Sequence, residues 1–314
     1  MRGQALFSAK VYPQAQEALW ECVLAGAVDM KAAHQLALTY RELKNYDSGL
    51  EHVKSALARR ADSADLLYLA AFLQFRTGRH RDSIELLGQA YQLNHSDWRV
   101  HQLFALNYVV LNIKDGALAE FQNAIALNPQ NPELHYQLAR FYYSDNRVQD
   151  SIEESGRALA LFREYPEVYE NLGLCYEALG ENQNAVKNFE RAIALANKLG
   201  RRDEWPLLDY AEFLVKQDDV KASIPVLEQA LEVNPASAKA HYYMGRAMRK
   251  LNRNAEAHSF LEKSLNLDSS DPAPYFELGM LFSREGDRAR ARPLLERFQD
   301  LRKREQPANG RPMQ

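Results

Sequence analysis

Apolar residues along this chain are punctuated by small ones at two positions that recur every 34 residues. The first small position reads Ala37, Ala71, Ala105, Ala139, Gly173, Ala211, Gly245 and Gly279. The second lies twelve residues further on and reads Gly49, Ser83, Ala117, Ser151, Ala185, Ser223, Ala257 and Ala291. The step is 34 throughout, except for one of 38 between Gly173 and Ala211. A small side chain lets a facing helix come close where a Leu would hold it away. A gap of twelve residues places the two positions on successive helices. Large apolar residues stand one before and three after the first small position, as in Leu172 and Tyr176. Others stand four after the second, as in Val53, Phe121 and Phe189. Spacings of three and four put each set on one helical face. No stretch sustains the alternation of a strand, so the pattern predicts an all-α chain of repeated helix–turn–helix units.

The polar punctuation agrees. First helices open at Asn131-Pro132-Glu133, Tyr165-Pro166-Glu167 and Asp271-Pro272, where Asn or Asp can accept from free N–H groups and Pro suits the first turn. Turns between paired helices are expected at Gly78, Asp115-Gly116, Asp145-Asn146, Gly180, Asp218-Asp219, Asn252 and Gly286-Asp287. The run Ala194–Gly200 predicts a longer second helix closed by Gly200, which accounts for the broken step at residues 200–203. Pro225 and Pro293 share one place early in their helices, so they must lie in the first turn or bend the helix.

With Tyr169, Leu172-Gly173, Tyr176, Ala185, Phe189 and Ala192 in residues 166–199, and Pro129 closing residues 98–131, the chain resembles the tetratricopeptide repeat (TPR) family. The resemblance implies a right-handed superhelical solenoid of antiparallel helix pairs. Eight full units are read: 30–63, 64–97, 98–131, 132–165, 166–199, 204–237, 238–271 and 272–305. Residues 1–29 read as a partial unit, with Gly3, Ala15, Leu19 and Cys22 in register, and residues 306–314 as a flexible tail. Departures are local. Gln74 and Ser155 occupy usually apolar positions, Phe298 replaces a small residue, and the family's Trp is missing.

Composition narrows the function. The chain has 314 residues, 46% of them hydrophobic, with a formal net charge of −3. That balance gives no overall bias toward nucleic acid or membrane. Cys22 and Cys175 fall in different units, so a disulfide framework is not expected. No apolar run reaches the roughly 18 residues of a membrane span. Met1–Lys10 lacks the apolar core of a secretory signal, which favours a cytoplasmic protein. Because the chain opens inside a repeat, a start further upstream, and with it a periplasmic location, is the other reading.

Candidate chemistry is sparse. His101, His135 and His241 share the fourth position of their units, a packing position in the family. No HExxH or CxxC motif, Gly-rich phosphate loop or G-x-S-x-G elbow occurs. No enzyme, metal or cofactor is therefore expected. The basic run after Arg284 reads as the solvated face of a terminal helix and not as a nucleic-acid site.

An interaction surface remains. In TPR arrays the first helix of each unit lines the concave face, chiefly through positions 2, 5, 9 and 12, with 6 and 13 nearby. Those positions imply a partner groove of Tyr68, Phe72, Phe75, Leu106, Val109, Tyr136, Arg140, Tyr143, Glu170, Tyr242, Arg246 and Arg249. It grades from aromatic and apolar, through acidic, to basic. The expected occupant is a protein or peptide segment, its apolar side chains near Tyr68, Phe72, Phe75, Leu106 and Tyr143 and an acidic stretch on Arg246 and Arg249. Self-association is the competing use of the same face. The positions that clamp a chaperone's terminal carboxylates in some family members are here Tyr136, Arg140, Asn171, Trp205 and Asp209. Only Asn171 matches, and Asp209 would repel a carboxylate. The leading function is a non-catalytic scaffold. The alternatives are an envelope assembly factor of pilus, secretion or outer-membrane type, and the regulatory part of a longer enzyme such as a glycosyltransferase.

Overall fold

A computed structural model describes residues 2–25, 29–201 and 203–305. The expected tail at 306–314, and Arg202 within the broken step, lie outside the described residues. Among the described residues there are 18 α-helices and no strand. Their contacts divide the chain into two compact units, residues 1–144 and 145–314.

The first unit holds α1 (Arg2–Ser8), α2 (Tyr12–Leu24), α3 (Met30–Leu43), α4 (Tyr46–Leu57) and α5 (Ala64–Arg76), then α6 (His80–Leu93), α7 (Trp98–Val110), α8 (Lys114–Leu127) and α9 (Pro132–Ser144). The second holds α10 (Val148–Leu161), α11 (Pro166–Ala178), α12 (Asn182–Lys198), α13 (Trp205–Lys216) and α14 (Val220–Val233), then α15 (Ala238–Lys250), α16 (Asn254–Leu267), α17 (Pro272–Arg284) and α18 (Arg288–Glu305). Within each compact unit a first helix packs on its own second helix and on the next first helix, as α5 packs on α6 and on α7, and α15 on α16 and on α17.

Every turn inside a helix pair bends at the same repeat position. Lys10, Lys44, Gly78, Asn112, Asn146, Gly180, Asp218, Asn252 and Gly286 all have φ between 52° and 83°. This left-handed residue closes the first helix by a bond from the next amide back to the last turn, as in Ile113 N–H to Tyr108 O at 2.8 Å. The turn expected at Asp115-Gly116 therefore sits three residues earlier, at Asn112, and both residues belong to α8. Asn adopts left-handed backbone at little cost, so Asn112 supplies the turn and Asp115 is freed to face the positive end of α8.

The small positions do what their spacing implied. A Cβ on Gly173 would lie 2.7 Å from the Phe189 ring, and one on Gly245 would lie 2.6 Å from Leu261 Cγ. Gly279 meets Leu295 and Gly3 meets Leu19 in the same way, each at under 3 Å. At Ser83 and Ser151 the second small position carries a hydroxyl that ties helices together. Ser83 Oγ donates to Ala71 O at 2.8 Å, and Asn107 Nδ2 donates to Ser83 Oγ at 3.0 Å. Ser155, polar where the repeat is usually apolar, is fully buried and accepts from Asn171 Nδ2 at 3.1 Å. Phe298 packs against Phe276, with ring centroids 5.1 Å apart.

The broken step is resolved as expected. α12 runs 17 residues, against 14 for α6, α8, α10, α14 and α16, and Gly200 follows it at φ 64°. Pro225 and Pro293 lie inside α14 and α18, beyond the first turn, and both are exposed. The carbonyl that each leaves without an N–H partner therefore lies on a solvent-facing side of its helix.

Two glycines on helices should respond oppositely to alanine. Gly88 in α6 has open space around the missing Cβ, so Gly88→Ala is expected to stabilise the chain by about 0.5–1 kcal/mol through helix propensity. Gly173→Ala makes the same propensity gain but drives a methyl into the Phe189 ring, and is expected to destabilise by about 1–2 kcal/mol net. Urea midpoints of the two variants against the parent chain check both signs.

Candidate functional site

The helix pairs of residues 2–144 enclose a cavity of about 540 Å³ on their first-helix side. Successive first helices supply its walls at the same repeat positions. α3 gives His34, Leu38 and Arg41; α5 gives Tyr68, Phe72, Phe75 and Arg76; α7 gives Gln102, Leu103 and Leu106; α9 gives Glu133 and Gln137. Residues three and four apart on one helix share a face, so each helix turns a column of two to four side chains into the depression.

The floor is aromatic and buried. Tyr68 is 1% exposed, and its hydroxyl lies 2.6 Å from His34 Nδ1. Burial pushes the Tyr68 phenol well above its ordinary value, so the hydroxyl keeps its proton and shares a hydrogen bond with His34. His34 itself is held down at about 4, first by burial and then by the neighbouring Arg99 and Arg41 guanidiniums, with Asp97 working the other way. The pair is therefore a neutral, fixed element of the floor. Phe72, Phe75 and Leu106 are half-buried above it. At the side, Gln102 Nε2 donates to Gln137 Oε1 at 3.0 Å, and Gln137 Nε2 donates to Glu133 Oε1 at 2.7 Å.

The mouth is electrically polarised. Asp29, Asp65 and Asp97 stand at the N-terminal ends of α3, α5 and α7. Burial raises the Asp65 carboxyl, and the charges of Asp29 and Asp97 raise it further. Arg99 grips Asp97 through two hydrogen bonds of 2.8 and 2.7 Å. Arg41 and Arg76 stand at the opposite, C-terminal ends of α3 and α5.

The first-helix face of residues 145–305 differs. It carries a chain of paired charges. Lys216 on α13 reaches Glu177 of α11 at 3.1 Å and Glu212 on its own helix at 3.0 Å. Tyr243 of α15 donates to Glu212. Burial works to raise the Glu212 carboxyl, but the bonds from Tyr243 and Lys216 outweigh it and hold the group below its ordinary value. Arg246 and Arg249 both lie against Glu277 of α17, at 3.2 and 2.7 Å.

Four of the sequence-read groove residues meet in one place: Tyr68, Phe72, Phe75 and Leu106. Tyr68 is part of the floor and not a projecting side chain. Val109, Tyr136 and Tyr143 are half-buried and Arg140 is exposed on the same helices, outside the lining of the cavity. Glu170 is 7% exposed, so the acidic zone expected around it offers no open carboxylate. Tyr242 is half-buried with the Arg246 guanidinium over its ring at 5.6 Å, and burial pushes its phenol up to about 12. The positive charge of Arg246 and Arg249 is already balanced by Glu277, at the nearby sixth position of residues 272–305, a unit from which no groove residue was read. His34, Leu38 and Arg41 were also missed, although the same positions 5, 9 and 12 counted in residues 30–63 give all three.

The histidines of the fourth position are packing residues. His101 Nδ1 meets Glu120 at 2.6 Å, and His135 and His241 reach the carbonyls of Pro129 and Pro235 at 3.3 and 3.1 Å. Among the described residues no group of three or more His, Cys, Asp or Glu is placed to hold a metal ion, and no helix is long and apolar enough to cross a membrane.

Comparison with known proteins follows the same register. Models of the tetratricopeptide repeat match residues 34–97, 166–199 and 214–279, and a TPR repeat model matches residues 114–145. A Schizosaccharomyces pombe protein described as N-terminal acetyltransferase A complex subunit-like is 29% identical over 114 residues, which are 35% of this chain and 16% of that protein. Among solved structures, a chain of the APC/C hetero-tetramer Cut9–Hcn1 aligns with a TM-score of 0.72 at 13% identity, over 89% of this chain and 54% of its own. A tetratricopeptide repeat protein from Parabacteroides merdae gives 0.61 at 13% identity, over 81% of this chain and 98% of its own. Pseudomonas aeruginosa PilF gives 0.59 at 17%, over 72% and 99%. The chain thus spans about half the length of the APC/C chain and a sixth of the fission-yeast protein.

Two measurements test the electrostatics. His34 has a folded value below that of a free imidazole, so the folded state binds fewer protons than the unfolded one between about pH 4 and 6.5. Its contribution is intact above pH 6.5 and lost as pH falls toward 4, to an extent of about 3 kcal/mol. Denaturation at pH 7 and pH 4.5 should show a smaller fall for His34→Gln than for the parent chain. Glu277→Gln leaves two half-buried guanidiniums without their counter-charge and is expected to cost about 2 kcal/mol. Adding Arg249→Met should recover part of that loss in the same denaturation assay.

Proposed function

The chain belongs to the tetratricopeptide repeat family, and on that premise we propose that it is a protein-interaction scaffold whose cavity in residues 2–144 seats a segment of a partner protein. The observation that carries this reading is the cavity of about 540 Å³, with Phe72, Phe75 and Leu106 half-buried over a buried floor. Concave, mostly apolar hollows with a few placed polar groups are where proteins take ligands. Half-buried aromatics are the side chains that anchor interfaces. Gln102, Gln137 and Glu133 add donors and acceptors at one wall, which suits the peptide backbone of an extended segment. The fission-yeast relative, described as subunit-like within a complex, fits a role in assembly over the stretch the two proteins share. Docking of an acidic stretch on Arg246 and Arg249 is not part of the proposal, because Glu277 occupies both.

The test is affinity capture from the source cells with mass spectrometry, comparing the parent chain with Phe72→Ser/Phe75→Ser. Partners held by the cavity should fall at least about fivefold, the loss of roughly 1 kcal/mol or more expected on truncating an aromatic anchor. Undiminished capture by a variant that keeps the parent's circular dichroism spectrum would overturn the reading.

A further inference from the structure

The cavity mouth carries one guanidinium with no acidic partner. Arg41 is paired with its neighbour Glu42 at 2.8 Å, and Arg99 with Asp97 at 2.7 Å. Arg76 is different. It donates from Nε to the Tyr46 hydroxyl at 3.2 Å and lies over that ring, and among the described residues no carboxylate forms an ion pair with it. It lies on the cavity lining, one helical turn beyond Phe72, and its side of the mouth faces away from the Asp29, Asp65 and Asp97 end.

We propose that the segment seated in this cavity is extended and carries an apolar side chain two residues from an Asp or Glu, the apolar group lying against Phe72 and Leu106 and the carboxylate on Arg76. This rests on the cavity being the partner site, and it specifies the partner. Spacing sets the motif. Phe72 and Arg76 are four residues apart on one helical face, about 6 Å between side-chain origins. Residues i and i+2 of an extended chain point the same way and are about 6.5–7 Å apart. One anchor and one acid with a single residue between them therefore match one turn of α5. Charge sets the orientation. The acid is attracted to Arg76 at the C-terminal end of α5 and repelled by Asp29 and Asp65 at the other, where Arg99 already balances Asp97. A single unpaired guanidinium matches the one charge of a carboxylate, and a planar fork can take both of its oxygens.

The full chain would be panned against a display library of random dodecapeptides at low and at physiological salt. Enriched peptides are expected to share an apolar-x-acidic motif. Their affinity should fall about tenfold in Arg76→Glu, less in Arg76→Lys, and strongly in Phe72→Ser. Arg76 is exposed, so its variants test the contact without touching the core. Circular dichroism and thermal melts verify Phe72→Ser, with Leu106→Gln as the substitute if that variant does not fold. Peptides that lack an acid, or that bind Arg76→Glu undiminished while losing Phe72→Ser, overturn the motif and leave the cavity as the partner site. Failure to enrich any peptide, or peptides indifferent to both Phe72→Ser and Leu106→Gln, overturns the motif and the site together.

Discussion

Everything in each unit hangs on how close two helices come where a small residue faces a large one sixteen positions later. Gly173 under Phe189, Gly245 under Leu261, Gly279 under Leu295 and Gly3 under Leu19 are the tightest cases. At these points the backbone of the first helix touches the ring or branch of the second. The pair can therefore pack at only one separation, and a Cβ would have to push a buried side chain aside. Once that separation is fixed, the left-handed residue at the turn follows, because only two or three residues bridge the helices. The next first helix then has one groove to occupy. Ser83 and Ser151 show that the same contact tolerates a hydroxyl when a partner is at hand: Ala71 O and Asn107 for one, Asn171 for the other.

That geometry also decides what the first-helix faces can offer. Repetition brings positions 5, 9 and 12 of neighbouring helices side by side, so the local residues determine whether the face is a hollow or a ladder. Around the cavity in residues 2–144 these positions are His34, Leu38, Arg41, Tyr68, Phe72, Phe75, Gln102 and Leu106, and the result is a largely apolar hollow with a polar wall. In residues 145–305 they include Glu177, Glu212, Arg246 and Arg249, and with Lys216 at position 13 and Glu277 at position 6 these charges pair across successive first helices. A partner on a paired face must displace ion pairs before it gains its own, which costs desolvation. The apolar hollow carries no such cost. That contrast, and not overall charge, is why the proposed partner site lies in residues 2–144.

Register was legible at most of these places, and its failures are instructive. Reading the turn from Asp115-Gly116 followed residue type alone. Counting from Gly78 or Gly180 points to Asn112, because the turn is a property of the repeat position. Tyr68 and Glu170 stand at groove positions and are nonetheless buried, at 1% and 7% exposure. For Tyr68 the neighbour that covers it is His34, a residue 34 positions away that shares a hydrogen bond with its hydroxyl. No spacing rule reports how deep a side chain sinks once such a partner exists.

The sequence by itself determined the helix pairs, the lengthened α12 and the family, because each follows from local chemistry repeated at a fixed period. Small residues, turn residues and apolar stripes act within one or two turns of themselves, and a period makes the same signal visible many times. Only the tertiary structure decided which groove residues are open and which charges are spent. Arg246 and Arg249 read as free cations until Glu277, about 30 residues on, is placed between them. Arg76, at the nearby thirteenth position, meets the Tyr46 hydroxyl at the cavity mouth and, among the described residues, no carboxylate. Pairing and burial depend on distances between helices far apart along the chain, and those distances are set by packing and not by any single stretch of sequence.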